Sequence, residues 1–356
     1  MYNPFHRALT STERVAVTLS KREPDRVPFF LFLGLHGAKE LGMTIKQYFS
    51  RPENVVEAQL RMQKKYRSDC LYGFYYSAVE MEAWGAELNY SEDGPPLCNS
   101  KIINSLEDIK TIKPPKINES PALVKVLKSL DMLRRRAHHH IPIIGAVTSP
   151  FSLPVAQMGF DKYMQVLFDR PDLFERLMRL NEEFCVEWAN AQLDAGASII
   201  SYFDPMSSTS IIAPEVYKKT GFPIAKRTIT RISGPTATHL ASGKTMPILD
   251  EIAGTGTRMI AVSQLDNIAE LKNACSEKLS ILGNLNGAEM GGWKGDDAEN
   301  AVKLLISKAA PGGGFILSDN NGEIPYYVPE DVLLSISEAV HTWGKYPLVW
   351  LQRLSN

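Results

Sequence analysis

The sequence has no long hydrophobic run, no excess of either charge and little cysteine. No apolar stretch approaches the length of a transmembrane helix, and the opening residues, MYNPFHRALTSTERVAV, contain no apolar leader core. The reading is a cytoplasmic protein that does not span a membrane. Lysine and arginine number 39 against 40 aspartates and glutamates, a net charge of −1. That balance offers no electrostatic case for nucleic acid or an anionic lipid surface. The four cysteines, Cys70, Cys98, Cys185 and Cys275, are far apart, and no CxxC or HxC pair occurs. They read as reduced thiols, not as a disulfide framework or a cysteine-rich metal site.

What the chain does have is an alternation. With 356 residues, 44% of them hydrophobic, it can bury one large core. The clearest unit is Ala189–Pro205, ANAQLDAGASIISYFDP. Leu173, Leu177, Leu180, Phe184, Trp188 and Ala191 recur at helical steps up to Asp194-Ala195-Gly196, where glycine suits a left-handed cap. A short strand of β-branched and aromatic residues follows and stops at Asp204-Pro205. The same pattern gives eight expected strands: 26–33, 70–76, 141–147, 197–203, 235–240, 259–262, 279–283 and 313–317. Helices separate them, which predicts an α/β fold, a single (β/α)8 TIM-like barrel. A doubly wound open sheet is the alternative. The barrel is preferred because nearly every strand runs out into polar residues, which a barrel gathers at one mouth. Residues 1–25 read as an N-terminal helical extension, 26–343 as the barrel and 344–356 as a tail. An insertion at about 84–115, after the second strand, holds a turn at Asp93-Gly94-Pro95-Pro96 and is expected to form a hairpin.

The strand ends supply the candidate site residues. His239 and Asp204, with Tyr202 and His36, are the catalytic candidates; Tyr75, Tyr76, Glu80, Asn284, Asp319 and Asn321 are the substrate-binding candidates. Each has a plainer reading. Asp204 would form an Asx-turn, Glu80 would favour a helix N-terminus, and Asp319 and Asn321 would shape a turn before Gly322. Tyr75 and Tyr76 point to opposite faces of a strand, so at most one meets the barrel axis.

Several segments together resemble the uroporphyrinogen decarboxylase superfamily: DRVPFF near the N-terminus, VEMEAWGAE at 79–87, PFSLPVAQMG at 150–159, the DAG…DP block, APEVY at 213–217, ILGNLNG at 281–287 and PEDV at 329–332. Within it the chain is most similar to the cobalamin-dependent branch that includes the methylcobamide:coenzyme M methyltransferases. The resemblance implies a TIM-like barrel and a methyltransferase that uses a corrinoid carried by a partner protein. The small-molecule methyl donor or acceptor would be a methylated compound such as an aryl methyl ether, giving O-demethylation.

Two departures qualify what is implied. The arginine-rich segment of true decarboxylases is replaced by Gly34-Leu35-His36-Gly37-Ala38-Lys39, and Tyr76 stands near the expected aspartate. A polycarboxylate would then find no cation at the mouth. The zinc motif implied by the resemblance keeps His239, but Ala241 and about Asn321 occupy the cysteine positions. Zinc is therefore left open, with an oxygen-rich site of His239 with Asp204 or Asp319 as the alternative. A uroporphyrinogen decarboxylase and a non-catalytic corrinoid- or tetrapyrrole-binding barrel are the competing functions.

Overall fold

The computed structural model describes residues 8–319 and 322–352. Seven parallel strands form one curled sheet in chain order: β1 (Leu71–Tyr72), β2 (Ile143–Thr148), β3 (Ile199–Phe203), β4 (Thr236–His239), β5 (Met259–Ala261), β6 (Ser280–Leu285) and β7 (Phe315–Asp319). Helices connect and cover them. Parallel strands buried on both faces need this cover, and they carry the near-continuous apolar runs seen in the sequence.

The first expected strand, 26–33, is an extended segment lying between the two edge strands. Leu317 donates its N–H to the Pro28 carbonyl at 2.9 Å, and Phe30 donates to the Leu317 carbonyl at 3.0 Å. On the other side Asp69 donates to the Phe29 carbonyl at 2.7 Å. The segment closes the barrel, yet it makes only isolated bridges and no continuous ladder. Pro28 explains part of this, since it has no N–H to donate. The second expected strand is also shorter than its apolar run: pairing continues to Gly73, which donates to the Ile144 carbonyl at 2.8 Å, and the chain then turns away.

Strand parity divides the core in two. Phe30, Phe32, Tyr72, Ile144, Ala237, Met259, Ala261, Leu282 and Ile316 meet inside the barrel. Their neighbours in sequence, among them Ile143, Val147, Ile200 and Tyr202, pack outward against helices Pro121–Ala137 and Pro171–Ala195. Helix Pro171–Ala195 ends at Gly196, whose φ of +127 disfavours any side chain. A Cβ there would also lie 2.7 Å from Arg134 Cβ, where the two helices meet.

Helix Ser11–Leu19 is fastened to the base of the barrel by a charge network. Arg14 reaches Asp25 and Asp69 at 2.7 Å each, and Arg26 reaches Asp69 at 2.6 Å. The expected hairpin is present, with Leu88–Asn89 pairing antiparallel to Leu97–Cys98. Among the described residues no helix is long and apolar enough to cross a membrane.

Candidate active site

The C-terminal ends of the strands enclose a cavity of about 220 Å³. Its wall is aromatic: Phe32, Tyr72, Phe74, Tyr75, Tyr76 and Phe203 all border it. Pro95 of the hairpin covers one side, so the insertion contributes to the wall. The polar lining is sparse, with Ser77, Thr148, Ser201, His239 and Glu323. Among the described residues, no arginine or lysine lines it.

His239 is the predicted residue that the structure places best. It ends β4 with its ring turned inward, edge-on to Phe32 at 5.7 Å between centroids and against Phe203 at 5.4 Å. The backbone N–H of Ala241 donates to Nδ1 at 2.9 Å. Nδ1 is therefore an acceptor, and the ring proton of the neutral imidazole sits on Nε2. That nitrogen is buried without a hydrogen-bond partner. Desolvation lowers the imidazole pKa to about 4, so the ring is neutral at physiological pH. His239 thus lines the cavity and carries an unspent N–H donor.

This tautomer bears on zinc. A histidine that ligates through Nε2 needs a lone pair there and normally donates its other N–H to an acceptor. Here the roles are reversed. Ala241 offers no ligand atom, and among the described residues no group of three histidine, cysteine or acidic side chains is gathered. Asn321 lies outside the described residues. Among the described residues the donor set does not fit zinc.

Glu323 is the residue that sequence reasoning missed. It lies on the cavity wall, and its Oε1 accepts the Leu35 N–H at 2.7 Å. A Cβ at Gly34 would stand 2.7 Å from Oε2, so a larger residue there would push the carboxyl aside. Desolvation raises its pKa to about 8, and nearby Asp319 adds to the rise. Asp319 is fully buried. Its Oδ1 accepts the Phe32 N–H at 3.0 Å, Oδ2 has no partner, and desolvation lifts its pKa to about 7. Asp319 ends β7 and Glu323 follows it, next to each other and to Tyr72.

The other candidates fall elsewhere. Asp204 and Tyr202 have the opposite parity to the cavity-lining Ser201 and Phe203, so their side chains leave the barrel axis. Asp204 is enclosed by three serine hydroxyls. Ser149 and Ser152 donate to Oδ1 at 2.5 and 2.7 Å, and Ser207 donates to Oδ2 at 2.5 Å. Burial still raises its pKa, because hydroxyl donors only partly replace water. Tyr202 is packed in the layer between sheet and helices. His36 does not border the cavity; it starts helix His36–Leu41 and meets Tyr326 edge-on at 5.9 Å. Desolvation, with Lys39 nearby, lowers its pKa to about 4.

Tyr75 and Tyr76 both border the cavity, contrary to the expectation that at most one faces inward. The strand has already ended at Tyr72, so alternation no longer applies to them. The Tyr75 hydroxyl meets Ser129 at 2.5 Å, and Tyr76 donates to Glu82 at 2.6 Å. Glu80 is buried behind the wall, accepting the Thr148 N–H at 2.9 Å, and desolvation raises its pKa to about 7. Asn284 donates its amide to the Ser263 carbonyl at 3.0 Å and is not part of the wall.

Comparison with known proteins agrees with this architecture. A methylcobamide:CoM methyltransferase, MtaA of Methanosarcina barkeri, is 25% identical over 60% of this chain, a match that spans 62% of that protein. Another, MtbA of Methanosarcina acetivorans, is 24% identical over 86% of this chain and 93% of its own length. A uroporphyrinogen decarboxylase of Bordetella parapertussis is 23% identical over 83% of this chain and 84% of its own. In three dimensions a methyltransferase from Methanosarcina mazei superposes with a TM-score of 0.83 at 20% identity, covering 94% of this chain and 99% of that one. The family profile described as uroporphyrinogen decarboxylase (URO-D) matches residues 10–343, and the chain therefore belongs to that family.

Proposed function

We propose that this protein is a methyltransferase that moves a methyl group between a small methylated molecule in the cavity and the cobalt of a corrinoid carried by a separate protein. The observation that carries the reading is the wall itself, aromatic and, among the described residues, without a cationic side chain. A polycarboxylate such as uroporphyrinogen would meet Glu323 there and no guanidinium, an unfavourable place for buried negative charge. The volume is also below the ~300–1,000 Å³ usual for drug-sized ligands. A corrinoid macrocycle would stay outside and be presented at the mouth. The rim suits such a partner: Leu97, Ile211, Met246, Leu265 and Tyr327 are exposed on the hairpin and on loops that follow the strands.

The corrinoid supplies the nucleophile or the methyl group; this chain's residues bind and orient the small molecule and keep water away. Phe32, Tyr72, Phe74 and Phe203 enclose it, and His239 offers its Nε2–H. An aryl methyl ether fits such walls. Its leaving oxygen would accept a hydrogen bond from His239 and a proton from the Glu323 carboxyl, which is largely protonated at neutral pH. The carboxyl adds a demand of its own on the charge of the ligand.

The test is a turnover assay. Purified protein, a reduced corrinoid protein and a panel of methoxylated aromatics, methanol and methylated amines are combined, and the demethylated product is measured. Product from at least one donor is the expected result. Conversion of uroporphyrinogen to coproporphyrinogen, with no demethylation of any donor, would instead establish the decarboxylase.

A further inference from the structure

We propose that the cavity selects a small N-methylated ammonium ion, with the faces of Phe32, Tyr72, Phe74 and Phe203 around the methyl groups, the Glu323 carboxylate as counter-ion, and an oxygen of the ligand accepting from His239 Nε2–H. The proposal rests on the methyl-transfer reading and names its substrate class.

Three features of the site carry it. The first is the ring wall. Phe32 and Tyr72 lie 5.3 Å apart between ring centroids, Tyr72 and Phe74 lie 5.5 Å apart, and Phe203, 5.4 Å from His239, borders the same cavity. Aromatic faces are electron-rich and attract cations, most strongly where water is excluded, and rings grouped around a small space bind quaternary ammonium. The second is an acid with no counter-charge. Glu323 makes no ion pair among the described residues, and its hydrogen bonds come from backbone N–H groups of the 34–35 turn. A half-buried carboxyl left in that state is held up near 8 by desolvation, and a cation beside it would relieve the cost. Asp319, with Oδ2 unpartnered, lies close enough to add to that cost. The third is the His239 donor. The nitrogen is unpartnered and its residue lines the cavity, so it suits the hydroxyl or carboxylate oxygen of an amino alcohol or betaine.

The chemistry is consistent with that choice. When a methyl group leaves a quaternary nitrogen, the C–N bond breaks and its electron pair stays on nitrogen. The new bond to carbon is made with the pair of the corrinoid nucleophile. The leaving group is a neutral tertiary amine, so no proton has to be delivered. His239, whose imidazole is neutral, need supply no proton to it.

Titration calorimetry on the whole protein, without any corrinoid partner, tests this. The probes are tetramethylammonium chloride, choline chloride, and the neutral alcohol in which carbon replaces the nitrogen of choline. The expected result is choline binding at least ~10-fold more tightly than its neutral isostere. Glu323→Gln keeps an oxygen for the Leu35 N–H, so the fold is retained, and it should narrow the ratio several-fold. Equal binding of the isostere, no binding of either ammonium ion, or an unchanged ratio in Glu323→Gln would each overturn the proposal. Because binding is read without turnover, choline recognition with no demethylation would instead count against the methyl-transfer reading.

Discussion

Among the polar side chains near the mouth, exposure to the cavity is decided by parity and by the partners each already has. Asp204 has three hydroxyl donors and no free lone pair facing the substrate space. Its work is to hold the loops after β2 and β3 together. Asp204→Ala would leave Ser149, Ser152 and Ser207 without their acceptor, and a loss of about 2–4 kcal/mol in urea-induced unfolding is expected. His239 is the opposite case, with one nitrogen engaged by the Ala241 N–H and the other free. Its imidazole pKa near 4 means that it stays uncharged well into mild acid. Nitrogen NMR of labelled protein should therefore show a neutral ring with the proton on Nε2 down to about pH 5.5, where an ordinary histidine would be mostly protonated. A ring that titrates near 6.5 would remove the basis for calling it a neutral donor.

At the scale of elements, the barrel depends on how its first segment is fastened. The 27–33 segment has few backbone bonds, so its lower end is held instead by Asp69, which accepts from Arg14, Arg26 and the Phe29 N–H. Asp69→Ala would strand the Arg26 guanidinium and leave Arg14 with Asp25 alone, and a destabilisation of about 3–5 kcal/mol is expected from denaturant unfolding. The strand order was legible in the sequence because each barrel strand is a short apolar run between turn signals, and eight such runs alternate with helical periodicity. The irregular first segment was read as a strand because its hydrophobicity resembles one; pairing depends on backbone donors that Pro28 lacks. The site was legible in part. His239 follows from its place at a strand end. Phe203 could have been found from the same pairing, since it lies beside His239 across the β3–β4 ladder while Tyr202 and Asp204 alternate away. Glu323 could not, because its position depends on a contact with Gly34, nearly the whole chain away in sequence. The Tyr75–Tyr76 pair misled in the other direction, since alternation fails once a strand ends.

For the whole molecule, the notable quantity is the protons that folding retains. Glu80, Asp319 and Glu323 are raised to about 7, 7 and 8 by burial, with Asp319 and Glu323 also repelling each other. The last two titrate as a pair. In the unfolded chain these carboxyls release their protons near 4. Between those values the native state binds more protons than the unfolded state, so stability falls as pH rises, and the loss is complete once pH passes the folded values. Three imidazoles oppose this at lower pH. His36 and His239 are held neutral down to about 4, and His341 is also lowered, so the unfolded chain takes up protons there that the native state refuses. Their contribution rises with pH and is complete by about 6.5. Above that pH only the carboxyls remain in play, up to about 8. Melting temperature should therefore decline by several degrees between about pH 6.5 and 8, a window in which many proteins change little. Glu80→Gln, which preserves the acceptor for the Thr148 N–H, should flatten part of that slope and raise the melting temperature at about pH 8 while changing it little near pH 5. A saturating ammonium ligand should flatten another part, because pairing Glu323 with a cation removes its reason to hold the proton. A melting temperature independent of pH across this window would mean that these carboxyls are ionised in the folded protein, and the uncompensated acid on which the ammonium proposal depends would be lost with them.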